Sequence, residues 1–172
     1  MTAAEIESAI RFCDSYSRMP ALLNLFDPFE PDLSAWFRAL GEEWSCCDNT
    51  GEFKYALQEI LGCASAEPEY VELMMTQEER AALAALPDVI TIYRGCYQWN
   101  VEGLSWSLAR DIAAKFPFLN RYHHPDSEAL LVEATANKHD CVLKLDRGEQ
   151  EVICWEPKIK SRHTLEVSSW RR

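Results

Sequence analysis

In the first half of the chain, apolar residues recur at the three- and four-residue steps of helices. Ile6, Ile10, Cys13 and Tyr16 share one face of a helix expected over 5–16. Pro20, Pro28 and Pro31 surround the stretch 22–31, which reads as a loop because proline lacks an N–H and clashes with a preceding turn. Pro31 suits a helix start, and Leu33, Trp36, Phe37, Leu40 and Trp44 then form a stripe to be buried. Phe53, Ala56, Leu57, Ile60 and Leu61 repeat the pattern, with Gly62 as the expected C-terminal stop. Thr76-Gln77-Glu78-Glu79 has the form of a capping box, in which Thr76 accepts from a free backbone N–H while Glu79 reaches back. The helix it opens passes Leu83 and Leu86 and ends at Pro87.

From residue 89 the pattern changes. Val89-Ile90-Thr91-Ile92-Tyr93 is β-branched and aromatic and predicts a strand ending near Arg94. Further strands are expected at 103–107, 129–134, 141–145, 151–155 and 164–167, with a helix over 109–116 whose Ile112, Ala113 and Phe116 face inward. Helices first and strands second, without βαβ alternation, give an α+β fold. Two parts follow: a helical lobe over 1–88 and a β-rich core over 89–172. Residues 89–172 alone form a small chain that buries proportionally little surface, so the lobe is expected to pack directly on the core without a flexible linker at Pro87-Asp88.

The chain has 172 residues and a net charge of −11, unevenly spread. Residues 1–88 hold 17 Asp and Glu against 5 Lys and Arg, and residues 89–172 hold 11 against 12. An acidic body argues against nucleic-acid binding, whose affinity comes mainly from phosphate contacts. No run approaches about 18 uninterrupted apolar residues, so no membrane span is expected. The acidic N-terminus lacks the basic start and apolar run of a secretory signal, so a cytoplasmic location is expected. The seven cysteines are scattered and include no C-x-x-C, which reads as reduced thiols rather than a metal or disulfide framework. His123-His124 reads as part of a solvated loop, and no metal site is expected.

Three short islands carry candidate chemistry. Tyr93-Arg94-Gly95 offers a guanidinium at a strand end, able to hold phosphate or ribose oxygens, beside a glycine that lets a ligand approach the backbone. It equally suits an ordinary surface arginine. Ser105-Trp106-Ser107 puts two hydroxyls on one strand face with Trp106 on the other, and Ser107 also suits a cap for the following helix. Glu149-Gln150-Glu151 offers two carboxylates, the second on a buried strand, although Asp146-Arg147-Gly148-Glu149 would also make a good solvated turn.

The order Arg, Ser-x-Ser, Glu-x-Glu resembles the R-S-E class of mono-ADP-ribosyltransferases, the cholera-toxin-like, arginine-type family of bacteria and bacteriophages. The resemblance covers roughly residues 89–155 and departs from the common Ser-Thr-Ser at Trp106. It implies two small packed sheets forming an NAD+ cleft, with NAD+ as co-substrate. Glu151 would contact the ribose and steady its developing cation, and Ser105 would hold Glu151 in place. Glu149 would serve an arginine acceptor. Arg94, Gly95, Ser105 and Ser107 would bind NAD+, with Phe116 a candidate to stack on nicotinamide, as are Tyr97 and Trp99; Arg121 could add a phosphate contact. The implied partner is a protein target, in a host cell if the chain is an effector, with an antitoxin or immunity protein as a further partner. Two other readings stay open: an NAD+ glycohydrolase, and a non-catalytic binder or inhibitor using the acidic lobe.

Overall fold

The computed structural model describes residues 1–120, 122–145, 148 and 150–166. The chain divides into two compact units, 1–82 and 83–172, a division that falls inside a helix rather than at Pro87-Asp88.

The first unit is built from α1 (Ala3–Ile10), α2 (Arg18–Asn24), α3 (Ser34–Glu43), α4 (Lys54–Ala64), α5 (Pro68–Leu73) and most of α6 (Gln77–Ala84). Trp36, Phe37, Leu40 and Trp44 are buried as the stripe predicts. The Trp36 ring sits 4.7 Å from Phe26, and its Nε1–H donates to the Leu22 carbonyl. The capping box is present: Thr76 N–H donates to Glu79 at 2.8 Å, and Glu79 N–H donates back to Thr76 at 3.2 Å.

Four expectations for this unit need correction. α1 stops at Ile10, and Asp14 Oδ1 then accepts from the N–H groups of Tyr16 and Ser17, closing a turn where a helix was expected. The expected loop begins late, because Pro20 falls in the first turn of α2, where no intrahelical N–H is required. α3 starts at Ser34 rather than Pro31, with the Asp32 carboxylate accepting from Ser34 N–H. Gly62 lies inside α4, which ends at Ala64, and the hydroxyl of the capping residue Ser65 donates to the Leu61 carbonyl.

The second unit holds β1 (Val89–Tyr97), β2 (Ser105–Ser107), α7 (Arg110–Lys115), β3 (Ala129–Asn137), β4 (Cys141–Lys144), β5 (Glu151–Cys154) and β6 (Lys158–Thr164). These strands form one antiparallel sheet in the order β4-β5-β2-β1-β3-β6, not two packed sheets. The joint is narrow. β1 pairs with β3 along its whole length, but with β2 only through Tyr93 and Ser107.

Two strand boundaries also differ from expectation. β1 runs on through Arg94 and Gly95 to Tyr97, because β3 offers a register partner to each residue. β6 covers Lys158–Thr164, a polar and mostly exposed segment that hides its strand character because it lies at the sheet edge. The expected final strand began at Thr164, and Val167 lies outside the described residues. Among the described residues no helix is long and apolar enough to cross a membrane.

α7 packs on β1 and β2 over one sheet face. Ala113 and Ala114 meet Leu131 there, with Tyr93 packed alongside. A Cβ at Gly95 would lie 1.9 Å from the Ala113 carbonyl oxygen and 2.7 Å from Pro117 Cδ. The close approach at Gly95 is therefore made by this helix, where a ligand was expected. Gly95→Ala must push α7 off the sheet and should cost about 3 kcal/mol, as core overpacking does. Thermal melting followed by circular dichroism checks this, and a midpoint equal to wild type would refute the packing.

Candidate active site

The three islands occupy three adjacent strands. Arg94 is on β1, Ser105 and Ser107 are on β2, and Glu151 opens β5, with β2 between the other two. Glu149 and Arg121 lie outside the described residues.

Register fixes which groups meet. Ser107 is opposite Glu151, and Ser105 is opposite Ile153. Leu108 N–H donates to the Gln150 carbonyl at 3.1 Å, and Cys154 N–H donates to the Leu104 carbonyl at 2.9 Å. Hydrogen-bonded pairs alternate along an antiparallel ladder, so Ser107 and Glu151 form a non-hydrogen-bonded pair. Such pairs hold their Cα atoms about 4.5 Å apart with side chains at closest approach. The resemblance would put the first serine, Ser105, beside the glutamate; here the second serine takes that place. Ser107 Oγ also accepts from Ala109 N–H at 3.1 Å, so it does serve the entry to α7.

The same row crosses the whole sheet: Lys144, Glu151, Ser107, Tyr93, Glu133 and Ser161 are successive register partners. Directly opposed residues project from one face, so this face carries all six side chains. Sequence reasoning singled out neither Lys144 nor Glu133, and it quoted Tyr93 only as the neighbour of Arg94. Lys144 had a signal, a charge inside the otherwise apolar run Cys141-Val142-Leu143-Lys144-Leu145. Among the described residues, four polar or charged side chains are buried: Asn49, Glu79, Ser107 and Lys144. Glu79 closes the capping box and Asn49 donates to the Tyr16 carbonyl. The two in the sheet unit flank Glu151 on either side.

Gln150, immediately before Glu151, has φ of 47°, in the left-handed region. A non-glycine residue there is strained by about 1 kcal/mol or more. Its carbonyl accepts from Leu108 N–H, which ties Gln150 to the residue that follows β2.

Arg94 follows Tyr93 and therefore faces the opposite side of the sheet, with Trp106. Its Nε–H donates to the Asn100 carbonyl at 3.1 Å and its Nη1–H to the Ser105 carbonyl at 2.5 Å. A Cβ at Gly103 would come within 2.2 Å of Nη2, so the guanidinium rests on that glycine. Trp106 Nε1–H donates to the Gly103 carbonyl at 2.9 Å. Arg94 is thus neither a plain surface residue nor confined to a ligand role: it grips the β1–β2 connection. Burial moves its pKa below the ordinary arginine value, while Cys96, Glu151 and Tyr122 oppose that shift electrostatically.

The aromatic candidates lie near the end of α7. Phe116 begins the turn after α7, half-buried, with its ring 6.1 Å from Tyr122. Tyr97 is buried, donates its hydroxyl to the Pro117 carbonyl and stacks on Trp99 at 4.8 Å. His124 lies edge-on to both rings. A cavity of about 290 Å³ opens there, lined by Tyr97, Phe118, His123, His124 and Glu128 among others. Arg94, Ser105, Ser107 and Glu151 do not line it.

Comparison with known protein families, with curated proteins and with solved structures gives no match to this chain.

The Arg94 grip has a thermodynamic consequence. Arg94→Ala leaves two carbonyls without their charged donor and should cost about 3 kcal/mol. Gly103→Ala displaces the same guanidinium. The double variant should lose far less than the sum of the two singles, because both remove one interaction. Strict additivity in denaturant melts would mean that Arg94 does not hold this connection.

Proposed function

We propose that the protein is an NAD+-dependent mono-ADP-ribosyltransferase that modifies arginine on a protein target. The observation that carries this reading is the adjacency of β1, β2 and β5, with Ser107 in close register with Glu151. The order of the three islands in the sequence supports it independently.

In this reaction the bond between the nicotinamide nitrogen and ribose C1′ breaks. Nicotinamide leaves neutral, taking the bonding electrons, and C1′ gains oxocarbenium character. Glu151 sets its carboxylate against that developing charge, the kind of aimed electrostatic group that contributes most to such catalysis. Ser107, beside it, orients the carboxylate. Arg94 acts through the backbone by holding Ser105 and the connection that carries β2. The acceptor nitrogen then bonds to C1′ and gives up a proton. The spacing Glu149-Gln150-Glu151 puts a second carboxylate two residues away for that task. The acidic residues of 1–88 favour a basic target by electrostatic steering.

Glu151→Gln keeps the shape and removes the charge. It should lower nicotinamide release from NAD+ on the order of a hundredfold. Near-normal release from a folded Glu151→Gln protein would end the assignment. Transfer is separated from hydrolysis by incubation with labelled NAD+ and a cell lysate: label on protein supports transfer, and free ADP-ribose alone supports a glycohydrolase.

The two serines should differ. Ser107→Ala, which removes the direct neighbour of Glu151, should cost about tenfold in turnover, the worth of one good hydrogen bond. Ser105→Ala should cost less. The opposite ranking would show that register does not decide which serine serves the glutamate.

A further inference from the structure

We propose that Cys141 and Cys154 form an oxidisable dithiol, closed by hydrogen peroxide into a cross-strand disulfide that locks the hairpin carrying Glu151. The inference rests on β4 and β5 alone and does not depend on the ADP-ribosyltransferase reading.

Cys141 and Cys154 are direct register partners in the β4–β5 ladder. Both are free thiols and both are buried. The Cys154 N–H donates to Leu104 on the far side, so it points away from β4. The cysteine pair is therefore of the non-hydrogen-bonded kind, with Cα atoms about 4.5 Å apart. That lies inside the window of about 4.4–6.8 Å that a disulfide spans. Register sets the two side chains side by side, and Cys141 Sγ donates to the Asn137 carbonyl at 3.3 Å. Among the strand cysteines Cys96 lacks such an arrangement: it is on β1, two strands away from β5, opposite Leu130.

The chemistry balances without further reactants. One thiolate attacks a peroxide oxygen, the O–O bond breaks, and hydroxide leaves a sulfenic acid behind. The second sulfur attacks that sulfenic sulfur, the S–O bond breaks, and water leaves. Two thiols lose two electrons and two protons, and one peroxide becomes two waters. Access comes through β4, a four-residue strand at the sheet edge whose fraying leaves the β5–β2 pairing intact. Contact with Cys154 and burial both push the Cys141 thiol up from its ordinary pKa. Closure is therefore slow near neutrality and quickens as pH rises.

The bridge would tie the base of the hairpin, while Lys144 and Glu151 face each other at its turn end. Oxidation thus removes the freedom of β4 to leave β5 and fixes the backbone from which Glu151 projects.

The test uses the full chain carrying Cys13→Ser, Cys46→Ser, Cys47→Ser and Cys63→Ser, which keeps only Cys96, Cys141 and Cys154. After peroxide treatment, a non-reduced tryptic digest should contain a peptide pair joining Cys141 to Cys154, two hydrogens lighter than the reduced peptides. Dithiothreitol should reverse it. The oxidised protein should melt roughly 5 °C higher. A bridge to Cys96, or three thiols that all alkylate after unfolding, would overturn the proposal. If the quadruple variant does not fold, the same digest of the wild-type chain reads the bridge directly, and its absence there counts equally against it.

Discussion

The six strands are one sheet only because a three-residue strand lies between two larger ladders. β2 pairs along its full length with β5 but meets β1 at the single pair Tyr93–Ser107. On one side stand β1, β3 and β6, and on the other β5 and β4. A joint that short holds little by its own ladder. It is reinforced from outside the ladder. Arg94 reaches from β1 to the Ser105 carbonyl, and Trp106 closes back on Gly103. The candidate site borders this joint, because Ser107 is at once the one register partner of Tyr93 across β1–β2 and the partner of Glu151 in the β2–β5 ladder.

The division of labour between the sheet faces follows from strand alternation. Ser105, Ser107, Tyr93 and Glu151 share one face, and Arg94 and Trp106 share the other. A cation on the far face cannot meet the same atom as the carboxylate by simple projection. Arg94 can still govern the site, because backbone position passes through a sheet where side chains do not. Its two hydrogen bonds go to carbonyls of the chain leading into β2. Lysine could not make both contacts in that geometry, since a point charge on a flexible stem lacks the planar fork.

What could be read from the sequence was local. The capping box at Thr76 and Glu79 and the stripe from Trp36 to Trp44 depend on neighbours three or four residues away, and both are present. The inward Ala113 of α7 was legible for the same reason. Features set by distant partners were not legible. β1 continues past Arg94-Gly95 because β3 supplies partners, although the dipeptide itself looks like a strand end. β6 is polar and exposed, and only its pairing with β3 makes it a strand. Two serines and a glutamate were visible as candidates, but a one-pair choice between Ser105 and Ser107 depends on register. That register belongs to the pairing of β2 with β5, strands far apart in the chain, and no local pattern declares it.

The row through Glu151 gathers the buried polar side chains of the described sheet unit. Burying a polar side chain costs free energy unless it finds partners, so buried polar residues are few and each needs a reason. In the helical unit Glu79 closes a helix cap, and Asn49 ties its segment to the Tyr16 carbonyl. In the sheet unit Ser107, which also accepts from Ala109 N–H, and Lys144 are buried on either side of Glu151, and Lys144 ends a strand that is otherwise apolar. Apolar side chains at these positions would pack on the same pleat with no desolvation to offset. Gln150 adds left-handed backbone strain at the residue that delivers Glu151. Strain and polar burial each occur elsewhere in proteins as local accidents. Here both fall at one carboxylate, Glu151, whose backbone entry is strained and whose register neighbours on either side are polar and buried.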